Sequence, residues 1–511
     1  MIKGPNRTQG SMRAKAEQPP NAGLRRLLLG GGYAAALAFG LGVGRPGRAQ
    51  QALMPQQTLM PQPQGSPLVP PEVMLDDLAQ RTFRFFWETA NPANGLAPDS
   101  WPSKSACSIA ALGFALTAYP IGVERGWISR EQARDRVLTT LRFLRSTPQG
   151  PEQMGRSGYR GFFYHFLDMN TGTRADENVE LSSVDTALLL AGVLYCQSWF
   201  NQPDGAESEI RALADELYAR VDWRWMQTRP PSICHGWYPD YGFIEYDWKG
   251  YNEAMILYLL ALGSPTMPVE PDAWGAWTST YERCWKNIHG QQHLHFASLF
   301  GHQFTHCWVD MRGITDKYLG MRGMDYFENS RRATYAQRAY ASANPMGWNG
   351  YGSEVWGISA SQGPADIIRP YAGEKRRFRS YAGRGADGVQ SYDDGTIAPY
   401  AVASSLPFAP EIVTPTLQVM LARFGPRIYS QYGFFDAFNL SFDYDDVPLS
   451  TGQRIAGFGW VDTNYLGIDQ GPMLAMLGNF HNESVWRAMR NNRYLRRGLE
   501  RAGFTGGWLT A

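Results

Sequence analysis

From about residue 75 onward the chain repeats one pattern, apolar residues at helical spacing interrupted by clusters of Gly, Pro and Ser. The spacing predicts helices over 75–88 (LDDLAQRTFRFFWE), 107–119 (CSIAALGFALTAY), 129–145, 183–200, 205–220, 251–262 and 271–287. Strand-like alternation is rare; GYRGFFYHFLDMNTG, from residue 158, has the character of a hairpin in a connecting loop. The helices are of two kinds. SREQARDRVLTTLRFLRS has a polar face and belongs outside, whereas SVDTALLLAGVLYC and EAMILYLLALG are apolar on nearly every side, as buried helices are. Alternating outer and inner helices predict an all-α fold with a double ring, an (α/α)-type toroid whose inner helices begin around a central depression. No repeat of fixed period is present, which argues against a recent solenoid.

The polar exceptions to this pattern are informative. Three apolar helices begin with acids: Asp185 in SSVDTALLLAG, Glu253 in NEAMILYLLALG, and Asp469 in GIDQGPMLAMLGNF, where Pro472 is expected to open the helix. Each has an ordinary explanation, since Ser182 and Asp185 have capping-box spacing and any carboxylate at a helix start gains from the dipole. The alternative is a set of catalytic carboxylates around one cavity. The segment NPMGWNGYGSEVWG adds Trp348, Tyr351, Glu354 and Trp356 in a Gly-rich loop of sugar-binding residue types. YDDGTIAPYAVASSLPF places Asp393 and Asp394 in a turn before a helix opened near Pro399, and HQFTHCWVDMRG contributes His302, His306, Asp310 and Arg312. His302 and His306 would share a helical face. That spacing also fits a metal pair, but without a Glu after the first His it lacks the metalloprotease pattern, and hydroxyl binding or core satisfaction is favoured over a metal.

Composition narrows the function classes. A chain of 511 residues can hold two or more domains, although large barrels run as one unit of this size. The 17 Trp, 26 Tyr and 25 Phe suit sugar surfaces, or simply a ring-rich core. A formal charge of +1, from 48 basic and 47 acidic residues, gives no field to gather nucleic acid or an anionic membrane. Cys107, Cys196, Cys234, Cys284 and Cys307 are scattered and odd in number, which predicts mostly buried thiols rather than a zinc cage, with a single disulfide open if the protein is exported. Residues 24–49, LRRLLLGGGYAAALAFGLGVGRPGRA, have a signal-peptide layout, with Arg25 and Arg26 resembling a twin-arginine signal. The expected organisation is a signal peptide over 1–50, a Pro/Gln-rich disordered spacer over 51–71 and one folded domain over 72–511, in a periplasmic or secreted protein with no stable membrane insertion after signal removal.

Seven blocks in order carry a family resemblance: NVELSSVDTALLLAGVL, GYNEAMILYLLALGSP, FGHQFTHCWVDMRGI, DYFENSRRATYAQRAYASANP, YGSEVWGISAS, DDGTIAPYAVASSLPF and LGIDQGPMLAML. Together they resemble the bacterial glycoamylase-like domain, which is similar to glycoside hydrolase family 144, the endo-β-1,2-glucanases, and to the transglycosylation domain of cyclic β-1,2-glucan synthases. The resemblance implies an (α/α)6 barrel, an inverting hydrolase of β-1,2-glucan and no cofactor. Glu253 is the expected general acid and Asp469 the expected base, an order that can be reversed. Glu180, Asp185, Glu354 and Asp394 are second choices, with Glu180 placed in a loop and Asp185 in a helix. His306, Arg312, Trp348, Tyr351 and Trp356 are candidate sugar contacts. A transglycosylase on the same scaffold and a non-catalytic envelope glucan-binding protein are the alternatives, and the family name leaves the linkage open. One departure is Gln362, where relatives have Asp, followed by a longer path bearing Lys375, Arg376, Arg377 and Arg379. That path suits either an anionic substituent on the glucan or a solvated loop.

Overall fold

The structure, a computed structural model, describes residues 68–387 and 391–510. The expected signal peptide and residues 51–67 of the spacer lie outside the described residues. The helix pattern is realised as α1 (Pro71–Thr89), α2 (Ile109–Glu124), α3 (Arg130–Ser146), α4 (Ser183–Trp199), α5 (Gly205–Ala219), α6 (Met255–Gly263), α7 (Tyr326–Ala343), α8 (Pro399–Ala403), α9 (Pro410–Ile428) and α10 (Gly467–Asn482). The odd-numbered helices α1 to α9 bury one face. A capping box from Ser129 and Gln132 starts α3, as its polar N-terminal sequence demands. By contrast α2, α4 and α6 are buried on nearly every side, and every residue of α6 is inside.

Packing follows this division. Helix α2 lies between α4 and α10, α4 also contacts α6, and α8 contacts α10. Two glycines let α2 and α4 approach backbone to backbone: a Cβ at Gly113 would stand 2.3 Å from the Leu188 carbonyl oxygen, and one at Gly192 would stand 2.0 Å from that of Gly113.

Connection lengths orient the bundle. Links from an inner helix to the next outer one are short, spanning 125–129, 200–204 and 404–409. Such links force an antiparallel return, and the strand Ser100–Trp101 leading to α2 pairs with Tyr465–Leu466 leading to α10, so these inner helices begin at one end. Links from outer to inner helices are long, spanning 90–108, 147–182, 220–254, 344–398 and 429–466. The long loops therefore gather where the inner helices begin.

Those loops carry small antiparallel sheets of two or three strands, so the fold is helix-rich rather than purely helical. The 158–172 segment does contain its hairpin, Gly158–Tyr159 against Phe162–Phe163. Three expectations need correction. The 271–287 helix breaks after Trp277, and Trp285–Ile288 instead pairs with Gln291–Leu294 across His289 and Gly290, both at positive φ (47° and 82°) as a tight hairpin turn requires. The HQFTHC segment forms two 3-10 turns, Leu299–His302 and Thr305–Cys307, so the two histidines do not share a helix face. Helix α10 begins at Gly467, where strand Tyr465–Leu466 hands over, and Pro472 sits inside it, at the cost of a single intrahelical bond near the start.

All five cysteines are unpaired, four of them buried. Among the described residues no helix is long and apolar enough to cross a membrane. The basic path after Gln362 is a hairpin, Ile367–Tyr371 against Glu374–Phe378. Arg376 pairs with Glu374 and covers Trp348, Arg379 covers Tyr392, and Lys375 and Arg377 face solvent.

Candidate active site

A three-stranded sheet feeds the first group of acids into the site. Strand β1 (Leu181–Ser182) pairs with β2 (Gly236–Tyr238), which pairs with β3 (Gly242–Phe243). Leaving β1, Ser182 caps α4 by accepting the Asp185 amide at 3.2 Å, and its hydroxyl donates to Asp185 Oδ2 at 2.6 Å. Glu180 precedes the strand. The imidazole of His165 joins the two acids, with Nδ1 at 2.8 Å from Glu180 Oε1 and Nε2 at 3.6 Å from Asp185 Oδ2. Two carboxylates that a continuous helix would have turned apart thus meet through one ring, because one stands in extended chain and the other in a helix.

Glu253 lies in the turn just before α6 rather than within the helix. The turn is set by Asn252, whose side chain accepts the Ala254 amide at 3.0 Å, and by the Gly250 amide donating to the Trp277 carbonyl at 2.6 Å. The Glu253 side chain is buried, and its Oε2 accepts no hydrogen bond from the described residues. Burial pushes its carboxyl up to about 7; a bond from its own backbone amide opposes this, and the nearby charge of Asp185 adds to it.

A second group of acids lies around α10. Asp469 is the third residue of that helix and is buried. Tyr400 of α8 is held well above the usual phenol range, first by burial and then by the charge of Asp469, with Asp436 a smaller cause. Its hydroxyl donates to the Ala360 carbonyl and meets Ser359 Oγ, each at 2.8 Å. Asp436 accepts the backbone amide of Gln362 at 2.7 Å. Asp462 accepts from the Thr451 hydroxyl at 3.1 Å and from Asn464, and burial together with the charge of Asp436 raises its carboxyl. Helix α2 stands between the two groups, packed on both α4 and α10. Every one of these acids lies at, or in the loops over, the starting end of the inner helices.

The other expected residues are engaged by partners of their own, and Asp394 borders the second group through Arg384, which donates to the Ser361 carbonyl and feels the charge of Asp436. Trp348 and Tyr351 are buried and donate to Asp393 at 3.0 and 2.7 Å, where Tyr340 also donates at 2.9 Å. The Trp356 indole is enclosed and bonds Thr416 at 2.8 Å. Asp394 is clamped by a fully buried Arg384 at 2.7 and 2.9 Å, and Glu354 forms a surface pair with Arg423. His306 meets Ser330 Oγ at 3.0 Å and an edge of Phe408, and burial lowers it to about 3. Arg312 pairs with Asp310 and with Glu483, each at 2.7 Å. Glu483 follows the last residue of α10, so this cluster marks the end opposite Asp469.

Sequence reasoning missed His165, Tyr400, Asp436 and Asp462. The signal that singled out Glu253, one acid alone in an apolar run, is also present in GFFDAFN and GWVDTNY and points to Asp436 and Asp462. His165, inside FFYHFL, has the same mark.

Comparison with known proteins gives this arrangement its context. A family model described as "Glycoamylase: Putative glucoamylase" matches residues 245–493. The chain carries a glycoamylase-like domain. A crystal structure from Bacteroides uniformis with the same glucoamylase description is 27% identical and superposes with a TM-score of 0.73, covering 87% of this chain and all of that one. An exo β-1,2-glucooligosaccharide sophorohydrolase from Parabacteroides distasonis is 26% identical over an alignment of 463 residues that covers 84% of this chain, and the chain spans 58% of that relative's length. A β-1,2-glucanase structure from the same organism is 25% identical with a TM-score of 0.73, covering 85% of this chain and 60% of the other. Solved neighbours include glycoside hydrolases built as α/α barrels. Glu253, Asp436, Asp462 and Asp469 fall inside the matched glycoamylase-like segment, while His165, Glu180 and Asp185 precede it.

Proposed function

We propose that this protein is an inverting, endo-acting glycoside hydrolase of β-1,2-glucan, built as an (α/α)6 barrel. The alternation supports six outer–inner pairs if the 3-10 turns at 299–307 are counted as the shortened fourth inner member. The observation that carries the chemistry is Glu253, a buried carboxyl with an unmatched Oε2 and an affinity for its proton near neutrality, at the mouth of an inner helix. Such a group holds a proton that it can deliver to a glycosidic oxygen.

In this reading the proton of Glu253 passes to the leaving oxygen as the bond from C1 to that oxygen breaks. A water attacks C1 from the other face and loses its proton to the carboxylate of Asp469. The glucosyl product leaves inverted, with Glu253 ionised and Asp469 protonated until solvent restores both. Asp185, whose charge acts on Glu253 and which meets Glu180 through His165, keeps the acid protonated. The substrate class is supported by the names of the Parabacteroides distasonis relatives, a β-1,2-glucanase and a β-1,2-glucooligosaccharide sophorohydrolase. The signal-like N-terminal sequence supports a periplasmic or secreted site of action.

The test is incubation of the protein with linear β-1,2-glucan beside Glu253→Gln and Asp469→Asn, reading product size by chromatography and anomer by NMR. A spread of β-1,2-oligosaccharides, formed first as the α-anomer and absent from both variants, is expected. Exclusive release of sophorose would replace endo by exo action, and larger or cyclic products would replace hydrolysis by transglycosylation.

A further inference from the structure

Among the described residues, the most exposed large ring is Tyr241, at 83%. One exposed ring is ordinary on a protein surface; here its place matters. Tyr241 lies in the turn between β2 and β3, and its ring meets the half-buried Tyr238 edge-on, with centroids 6.1 Å apart. The β1–β2 register pairs Leu181 with Trp237 and Ser182 with Gly236. Opposed residues in an antiparallel pair share a face and successive residues alternate, so one further step sets Tyr238 across from Glu180, on the acid's side of the sheet. The reverse side carries Trp237, packed on Tyr159 and Trp225 with centroids 5.5 Å away in each case.

The tip is also held in place. Gln153 donates to Asp240 at 2.9 Å, and the buried Arg174 donates to the Gln153 carbonyl at 2.8 Å and to the Val179 carbonyl, next to Glu180, at 2.7 Å. A ring exposed on a braced hairpin loses little freedom when a ligand covers it.

We propose that Tyr241, with Tyr238 beside it, forms a stacking subsite for a glucosyl unit of the polysaccharide remote from the bond being cleaved. A β-glucosyl ring has only axial C–H groups on its two faces, and these pack on the apolar face of a tyrosine while the phenol reaches a sugar hydroxyl or water. The subsite extends the face that carries Glu180, so a long chain held there is threaded past the acids and a short oligosaccharide does not reach it. This inference rests on the glucanase reading above.

Steady-state kinetics of wild type, Tyr241→Ala and Tyr241→Phe on long linear β-1,2-glucan and on sophorotetraose test it. Tyr241→Ala is expected to raise KM for the long glucan about tenfold, the equivalent of about 1.4 kcal/mol, with kcat and the tetrasaccharide KM unchanged. Tyr241→Phe, which keeps the ring face, should retain most of the wild-type KM. If wild type cleaves the glucan and Tyr241→Ala leaves KM unchanged, or weakens both substrates equally, the subsite is refuted and the glucanase reading stands. If wild type does not cleave the glucan, both are overturned.

Discussion

At the scale of single residues, Glu253 connects fold to chemistry most directly. Burial with Oε2 unmatched disfavours the charged form of this carboxyl, so that it holds a proton near pH 7. We expect kcat/KM to fall as pH rises through about 7, and Glu253→Gln to lower kcat by about 10²–10⁴-fold and abolish that limb. Asp185→Asn, which removes a neighbouring negative charge, should move the limb to lower pH. Stability should show the same group with a definite sign. The folded state keeps its proton between the ordinary value of 4.5 and about 7 whereas the unfolded chain releases it, so folding becomes less favourable across that window and the full cost remains above it. Glu253→Gln should therefore be more stable than wild type at pH 8, by about 3 kcal/mol at most, and lose that advantage by pH 4, as paired thermal melts would read. Glu253 stood out in the sequence as a lone acid in an apolar run, although the helix dipole offered an ordinary explanation for it. The network around it was not, because His165 lies almost ninety positions upstream and only folding brings it to Asp185.

At the scale of elements, helices were legible wherever propensity and periodicity agreed, as in α3, α4 and α5, whose ends lie within a residue of expectation. They failed at 271–287, where a pairing across His289 and Gly290 overrides the helical pattern, and in HQFTHC, where the inner wall is made of 3-10 turns. The sugar-binding appearance of NPMGWNGYGSEVWG illustrates a second limit. Residue type cannot tell a ring that faces ligand from one whose N–H or O–H satisfies a half-buried Asp393. The contact of α2 with α4 is the element-scale feature most open to test. Gly192→Ala places a methyl group against the Gly113 carbonyl and should destabilise by about 1–3 kcal/mol. Gly205→Ala, at the start of α5 with open space around its Cβ, serves as the control and should leave the melting temperature unchanged or slightly raised.

At the scale of the whole molecule, the two ends of the inner helices have different chemistry. The starting end collects buried carboxylates, among them Glu253 with its unmatched Oε2, while the finishing end ties Asp310 and Glu483 to Arg312 and Arg490 in an ion network. Arg312→Ala should therefore act on stability alone, lowering the melting temperature by about 2 °C and leaving kcat/KM unchanged, since Asp310 retains Arg490 and the solvent-facing part of the pair contributes little. The alternation of amphipathic and apolar helices made the layered architecture readable, and the acids at helix starts pointed to the candidate site within it. The placing of Arg312 at the far end was hidden, because a residue's distance along the chain says nothing of which end of a bundle it reaches.

The inequality of the connections has a further consequence. Because the short turns lie at one end and the long loops at the other, the chain separates what must stay constant from what is free to vary. A descendant can lengthen, shorten or recharge a loop over the acids, such as the one that carries the hairpin at 367–378, without disturbing the turns that hold neighbouring helices in line. Substrate choice in such a protein can drift at the rim while the scaffold beneath it is inherited intact.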